Sequence, residues 1–105
     1  MSPIQNVIPP QIYLLFMDKE ALFSAAEMDE NCPEIDLHSS QSIPEAIDQL
    51  ERELYFYYQD GANYCEVIYG GGTGDLKEAV LEELNDNPMI KEFKKKHGGS
   101  CIVLF

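Results

Sequence analysis

Two strand-like segments of this chain each run straight into the start signals of an amphipathic helix, and a third strand-like segment closes the sequence. The first is Ile35-Asp36-Leu37-His38, which alternates apolar and polar residues as a half-buried strand does. It leads to Ser42-Ile43-Pro44-Glu45, a capping box in which a serine hydroxyl serves an orphan amide and a glutamate follows three residues on. Ile43, Ala46, Ile47, Leu50, Leu54, Tyr57 and Tyr58 then recur at helical spacing until Asp60-Gly61 stops the helix. The second unit is Tyr64 to Tyr69, followed by Gly70-Gly71-Gly72-Thr73-Gly74 and a helix start at Asp75 and Glu78. Leu76, Val80 and Leu84 give that helix its buried stripe, and Asn85 to Pro88 ends it. Ile90 and Phe93 flank a lysine cluster, and Gly98-Gly99 turns into a buried strand over Ser100 to Phe105. Strand, helix, strand, helix, then one or two strands predicts right-handed crossovers and an α/β two-layer sandwich, a small mixed β-sheet with helices packed on it.

With 105 residues the chain has room for one core. Residues 1–33 read as an N-terminal extension and residues 34–105 as the α/β domain. In the extension, prolines at 3, 9 and 10 mark an extended lead-in, and Gln11 to Met17 is a short apolar run with either strand or helix character. Asp18 can cap a helix, placed over 18–30, carrying Ala21, Leu22, Ala25, Ala26 and Met28. Met28 to Glu34 is an acidic connector containing Pro33. The longest apolar run is far short of the roughly 20 residues that cross a bilayer, and the start lacks the basic n-region of a signal peptide. A soluble, cytoplasmic protein with no membrane partner is expected. Cys32, Cys65 and Cys101 are an odd number without a C-x-x-C pair, so reduced, inert thiols are expected, with no metal and no cofactor assigned.

Seven basic against 19 acidic residues give a net charge of −12, which opposes non-specific attraction to phosphate backbones. The charge is unevenly spread. Residues 1–66 carry 13 acids with only Lys19 and Arg52, whereas residues 67–105 carry 6 acids with Lys77, Lys91, Lys94, Lys95 and Lys96. Exposed charges are screened beyond about 8 Å, so a local patch of those lysines can still meet phosphate. The same lysines also suit a solvated rim.

In open α/β sheets ligands sit beyond the carboxyl ends of the strands, where both Asp36-Leu37-His38 and the glycine run fall. Two readings of the glycine run stand: a tight turn that needs positive φ, or backbone amides facing an anion at a helix start. It is neither a dinucleotide fingerprint, since Asp75 stands where the last glycine is needed, nor a P-loop, since no Gly-Lys-Ser/Thr follows. Tyr69, immediately before it, can present its ring or hydroxyl to a ligand. Asp36 and His38 point to one face if the segment is a strand; they are then either an acid–base pair or ordinary surface and capping residues. His97, in the lysine-rich turn, reads as solvated. Tyr55, Tyr57 and Tyr58 read as packing residues.

In their order these segments resemble the Smr domain, the small MutS-related module that ends some bacterial MutS-like proteins, stands alone in others, and is attached to larger eukaryotic chains. The resemblance runs over residues 34–105: Ile35-Asp36-Leu37-His38 stands for the family's LDLHG, and Val67-Ile68-Tyr69-Gly70-Gly71-Gly72-Thr73-Gly74 for its hydrophobic-HGxGxG segment. Leu76 to Val80, Leu84, Pro88, the Gly98-Gly99 pair and the terminal strand complete the order. It implies a two-layer α/β fold, nucleic acid as partner, and endonucleolytic nicking of DNA or cleavage of RNA. By the same resemblance Asp36 and His38 match the pair implicated in cleavage, and Gly70, Gly72 and Gly74 match the glycine loop that shapes the site beside it, with Tyr69 and Thr73 expected to bind substrate there. Lys77, Lys94 and Lys95 would hold phosphate. Four positions depart from the pattern: Ser39 replaces a glycine, Tyr69 the loop histidine, Gly71 a frequent lysine, and Lys77 an arginine. The segment between Ile90 and Gly98 is also shortened. These changes remove cationic and proton-transferring groups, which implies weak endonuclease activity or an inactive module that binds structured RNA, a ribosome or a protein.

Overall fold

The structure, a computed structural model, describes residues 18–72 and 74–105. Thr73, the proline-rich lead-in and the Gln11–Met17 run lie outside the described residues. In chain order the elements are α1 (Lys19–Met28), β1 (Glu34–Asp36), α2 (Ile43–Gln59), β2 (Tyr64–Ile68), α3 (Asp75–Asp86), β3 (Glu92–Lys96) and β4 (Ser100–Leu104). The four strands form one mixed sheet in the order β1-β2-β4-β3, with β1 parallel to β2 and β4 antiparallel to both β2 and β3.

α1 and α2 each start where a side chain satisfies an orphan amide. The Glu45 amide donates to the Ser42 hydroxyl at 3.2 Å, and Pro44 occupies the first turn, where a missing N–H costs nothing. Ser42→Ala is expected to lower stability by about 1 kcal/mol, read as a shift in the urea midpoint at unchanged slope. Along α2, Ala46, Leu50 and Leu54 are buried, and along α3 Val80 and Leu84. Both helices pack on Ile35, Leu37, Cys65, Val67, Cys101 and Val103 to make the main core. Two of the three tyrosines expected to pack are instead exposed: Tyr55 and Tyr58, with Phe56 between them, lie where the apolar stripe of α2 leaves the core in its last turns. Tyr57 stays half-buried, its hydroxyl 3.5 Å from the Glu34 carbonyl.

The extension does more than lead in. Asp18 caps α1 by accepting from the Ala21 amide at 2.8 Å. The helix lies on the sheet face opposite α2 and α3, where Phe23 and Ala26 bury against Ile102 and Leu104, with Leu22, Cys32 and Tyr64 around them. Met28 and Ala25, expected in its stripe, are exposed, and Phe23, which was not, is buried. Covered on both faces, β4 is buried at all five positions. This is why its sequence, Ser100-Cys101-Ile102-Val103-Leu104, shows no polar alternation.

The lysine-rich segment is the first of the two closing strands that the order of elements allowed for. As β3 it forms one edge of the sheet, where lysines also discourage pairing with a second chain. The residues that face α1 are tied to it: Lys19 pairs with Glu92 at 2.9 Å, and Lys94 with Glu20 at 3.2 Å. The Lys94 ammonium also lies 5.7 Å from the centre of the Phe23 ring. Among the described residues no helix is long and apolar enough to cross a membrane.

Candidate functional site

Parallel pairing of β1 with β2 brings their carboxyl ends side by side, with Asp36 opposite Ile68. The Leu37 amide extends the ladder by donating to the Ile68 carbonyl at 2.7 Å. From there the two chains turn into α2 and α3, and the segments that carry Asp36-Leu37-His38 and the glycine run meet. A Cβ built on Gly70 would stand 3.3 Å from the His38 Cβ, and Gly70 itself has φ +82°. Both the backbone angle and the neighbour therefore favour glycine there.

Asp36 and His38 touch, though not by strand periodicity, because β1 ends at Asp36. The chain turns back, and the Asp36 carboxylate accepts from the His38 amide at 3.1 Å while its same oxygen binds His38 Nδ1. This hydrogen bond from the imidazole holds the Asp36 carboxyl below the usual carboxylate range. A carboxylate accepts only, so the contact places the proton on Nδ1 and leaves Nε2 as the nitrogen free to exchange one. Both side chains are about half exposed, at 59% and 49%. A ligand can therefore reach them.

A cavity of about 340 Å³ opens at this point, lined by His38, Tyr69, Gly70, Gly71, Gly72, Gly74, Leu76 and Lys77. Lys77 is its only lysine or arginine, and it pairs with no carboxylate among the described residues. The amides of Gly71 and Gly72 likewise donate to no group among the described residues. Gly74, at φ +96°, supplies the residue before α3 without a side-chain cap. The Gly70 amide is not available, since it and the Tyr69 amide both donate to the Gly99 carbonyl at 2.9 Å. Gly70 thus shapes the loop rather than offering a donor.

Tyr69 takes a different part from the one expected of it. It is 5% exposed, and its hydroxyl donates to the Ser100 carbonyl at 3.1 Å, so it forms wall and gives up its polar tip to the fold. Burial pushes its phenol above the ordinary value. Lys94 and Lys95 are not brought to the His38 cavity. They line an adjoining basin of about 780 Å³ with Glu27, Lys77, Lys96 and His97. Sequence reasoning set His97 aside as solvated, yet it also lines a third cavity on the other flank of the glycine loop. The two glycines after His97 were the signal available, because a Gly-Gly turn lets two backbones approach closely.

The thiols do not belong to this site. Burial pushes Cys32 up to about 11 and Cys101 up to about 12, and raises Cys65 as well, so all three stay protonated at neutral pH. Among the described residues no group of three or more His, Cys, Asp and Glu side chains is arranged to hold a metal ion.

The comparisons with known proteins fall on this same part of the chain. The Smr domain family matches residues 35–104. Three proteins named Endonuclease MutS2 are similar to it. The one from Thermomicrobium roseum is 36% identical over 62 residues, that from Aquifex aeolicus 34% over 67, and that from an Anaeromyxobacter species 31% over 65. These stretches cover 59–61% of this chain but only 8–9% of those proteins. The crystal structure of the Smr domain of Thermus thermophilus MutS2 superposes with a TM-score of 0.64 at 25% identity, covering 69% of this chain and 95% of that one. With two strands, two helices and the glycine loop between them all inside the matched segment, this chain belongs to the Smr domain family.

Proposed function

We propose that this chain binds nucleic acid through the cleft at the ends of β1 and β2 and cuts a strand there slowly, with Asp36 and His38 as the acid–base pair. One observation carries the reading: His38, held by Asp36, lines the same cavity as Gly71, Gly72 and Lys77. A phosphodiester seated there would meet cationic and N–H donors on one side and a proton acceptor on the other. His38 Nε2 would take the proton from a 2′-hydroxyl or a water as that oxygen bonds to phosphorus. The P–O bond to the leaving oxygen breaks, and that oxygen is protonated in turn by the imidazolium or by water. Asp36 holds the ring and stabilises its charged form. Lys77 and the loop amides stabilise the charge that grows on the non-bridging oxygens.

Slow turnover follows from what the loop lacks. Removing one donor to a developing oxyanion costs about 10²–10³ in rate, and here the family's loop histidine is replaced by Tyr69, whose hydroxyl is spent on Ser100. A second reading, a binding module without catalysis, draws on the same fact together with the net charge of −12. Purified protein incubated with labelled RNA and supercoiled DNA, with and without magnesium or manganese, beside His38→Ala, separates the two. Product formation that the substitution leaves unaltered would refute the catalytic reading.

The lysines of the basin are unequal. Lys94 is already paired with Glu20 and stacked on Phe23, whereas Lys95 pairs with no carboxylate among the described residues. Lys95→Ala is therefore expected to weaken strand binding several-fold at low salt and to reduce the salt slope by about 0.7–0.9. Lys94→Ala should change binding less. Fluorescence anisotropy over a salt series reads both.

A further inference from the structure

We infer that His97, with Lys77 and Lys96, forms a second anion seat on the other flank of the glycine loop, which takes the strand phosphate adjacent to the one at His38. The inference rests on the nucleic-acid reading above and extends it to a residue that the Asp36–His38 pair does not involve.

A cavity of about 380 Å³ is lined by the glycine loop on one side and by Lys96, His97, Gly98 and Gly99 on the other. It shares Tyr69, Gly70, Gly71, Gly72, Gly74 and Lys77 with the His38 cavity, so the two adjoin along the loop, one bounded by His38 and Leu76 and the other by Lys96 to Gly99. Lys77 borders both. Its ammonium can therefore bridge two neighbouring anions, a demand met by consecutive phosphates of a single strand.

His97 is held in place by backbone. The Gly99 carbonyl accepts from both the Tyr69 and Gly70 amides, and a Cβ on Gly99 would come within 2.5 Å of the Gly70 carbonyl carbon. The β3–β4 turn is thus locked against the loop, and the residue just before Gly98-Gly99 is carried to its rim. The walls suit an anion. They are glycine backbone, two lysines and an imidazole, which donates an N–H in either protonation state. Opposing acids are near but engaged elsewhere: Glu66 accepts from Lys96 at 3.3 Å and from the Ser100 hydroxyl at 2.7 Å. Glu27 lines the wider basin rather than this seat. With Lys96 partly neutralised, Lys77 and His97 supply most of the attraction.

The test uses the whole chain and two probes, inorganic phosphate and a short single-stranded oligonucleotide. Phosphate titrated into isotopically labelled protein is expected to shift the His97 imidazole and the Gly71 and Gly72 amides together. His97→Ala, at an exposed position, should bind the oligonucleotide about tenfold more weakly, the loss of one hydrogen bond to a charged group. A neutral methylphosphonate moved along the strand should weaken wild-type binding at two adjacent positions, and only one of those should persist in His97→Ala. If the strand binds wild type and His97→Ala equally, the second seat is wrong while the nucleic-acid reading survives. If wild type binds no strand at low salt, that reading fails and the seat defined on it fails too.

Discussion

His38→Ala is expected to slow strand cleavage by about 10²–10⁴-fold, the range that positioned acid–base groups contribute, while shifting the unfolding free energy by no more than about 0.5 kcal/mol. The second half matters as much as the first. His38 is exposed and, among the described residues, its side chain hydrogen-bonds only to Asp36, so its loss leaves no buried group unpaired there. Asp36→Asn should fall between wild type and His38→Ala, since an amide can still touch Nδ1 but no longer fixes the proton there. Because the His38 hydrogen bond holds the Asp36 carboxyl low, Asp36 stays ionised through the window in which an ordinary carboxylate protonates. Its contribution is complete above the ordinary value and is lost only as pH falls through the lowered one. The part of the cleavage rate that Asp36 supplies, read as the difference between wild type and Asp36→Asn, should therefore persist through the ordinary carboxylate range and fade only at lower pH. Cleavage by His38→Ala at the wild-type rate would remove the residue from the mechanism.

Gly99→Ala is expected to be the most damaging small substitution in the domain, lowering stability by about 3 kcal/mol and the thermal midpoint by on the order of 15 °C. Two terms combine. At φ +83° any side chain is strained by about 1–2 kcal/mol. The added methyl also meets the Gly70 backbone at 2.5–2.8 Å, and backbone cannot step aside as a side chain does. Gly98 supplies the control, for its φ is +86° yet nothing lies within 4 Å of its Cβ position. Gly98→Ala should show the conformational term alone. Equal midpoints for the two variants would mean that the Gly70–Gly99 contact carries no weight.

Where the sequence was legible, a local chemical rule and the tertiary structure agree. The Ser42 cap, the Asp60-Gly61 stop and the buried stripe of α3 need only near neighbours, and all are found. The meeting of His38 with the glycine loop followed from topology alone, since parallel strands flanking one crossover must end on the same side. What escaped notice depended on partners distant in the chain. The lysine-rich strand, which the sequence left as one of one or two closing strands, has its α1-facing lysines held by Glu20, Glu66 and the face of Phe23 rather than by an apolar core. Phe23 outcompetes Ala21, Ala25 and Met28 for the interior because Ile102 and Leu104 offer a flat apolar surface that a ring covers better. Tyr69 looked like a presented side chain, but the Ser100 carbonyl claims its hydroxyl from across the sheet.

Ser100 joins what would otherwise be separate halves of the molecule. Its carbonyl is grasped by the tyrosine behind the glycine loop, and its hydroxyl by Glu66 on the opposite, α1-covered side, where Lys96 also docks. One residue at the head of β4 thus ties the wall of the cleft to the α1-covered face of the sheet. Since Phe23 and Ala26 of α1 lie on Ile102 and Leu104 of the same strand, β4 carries at once the bed of that helix and the backing of the cleft.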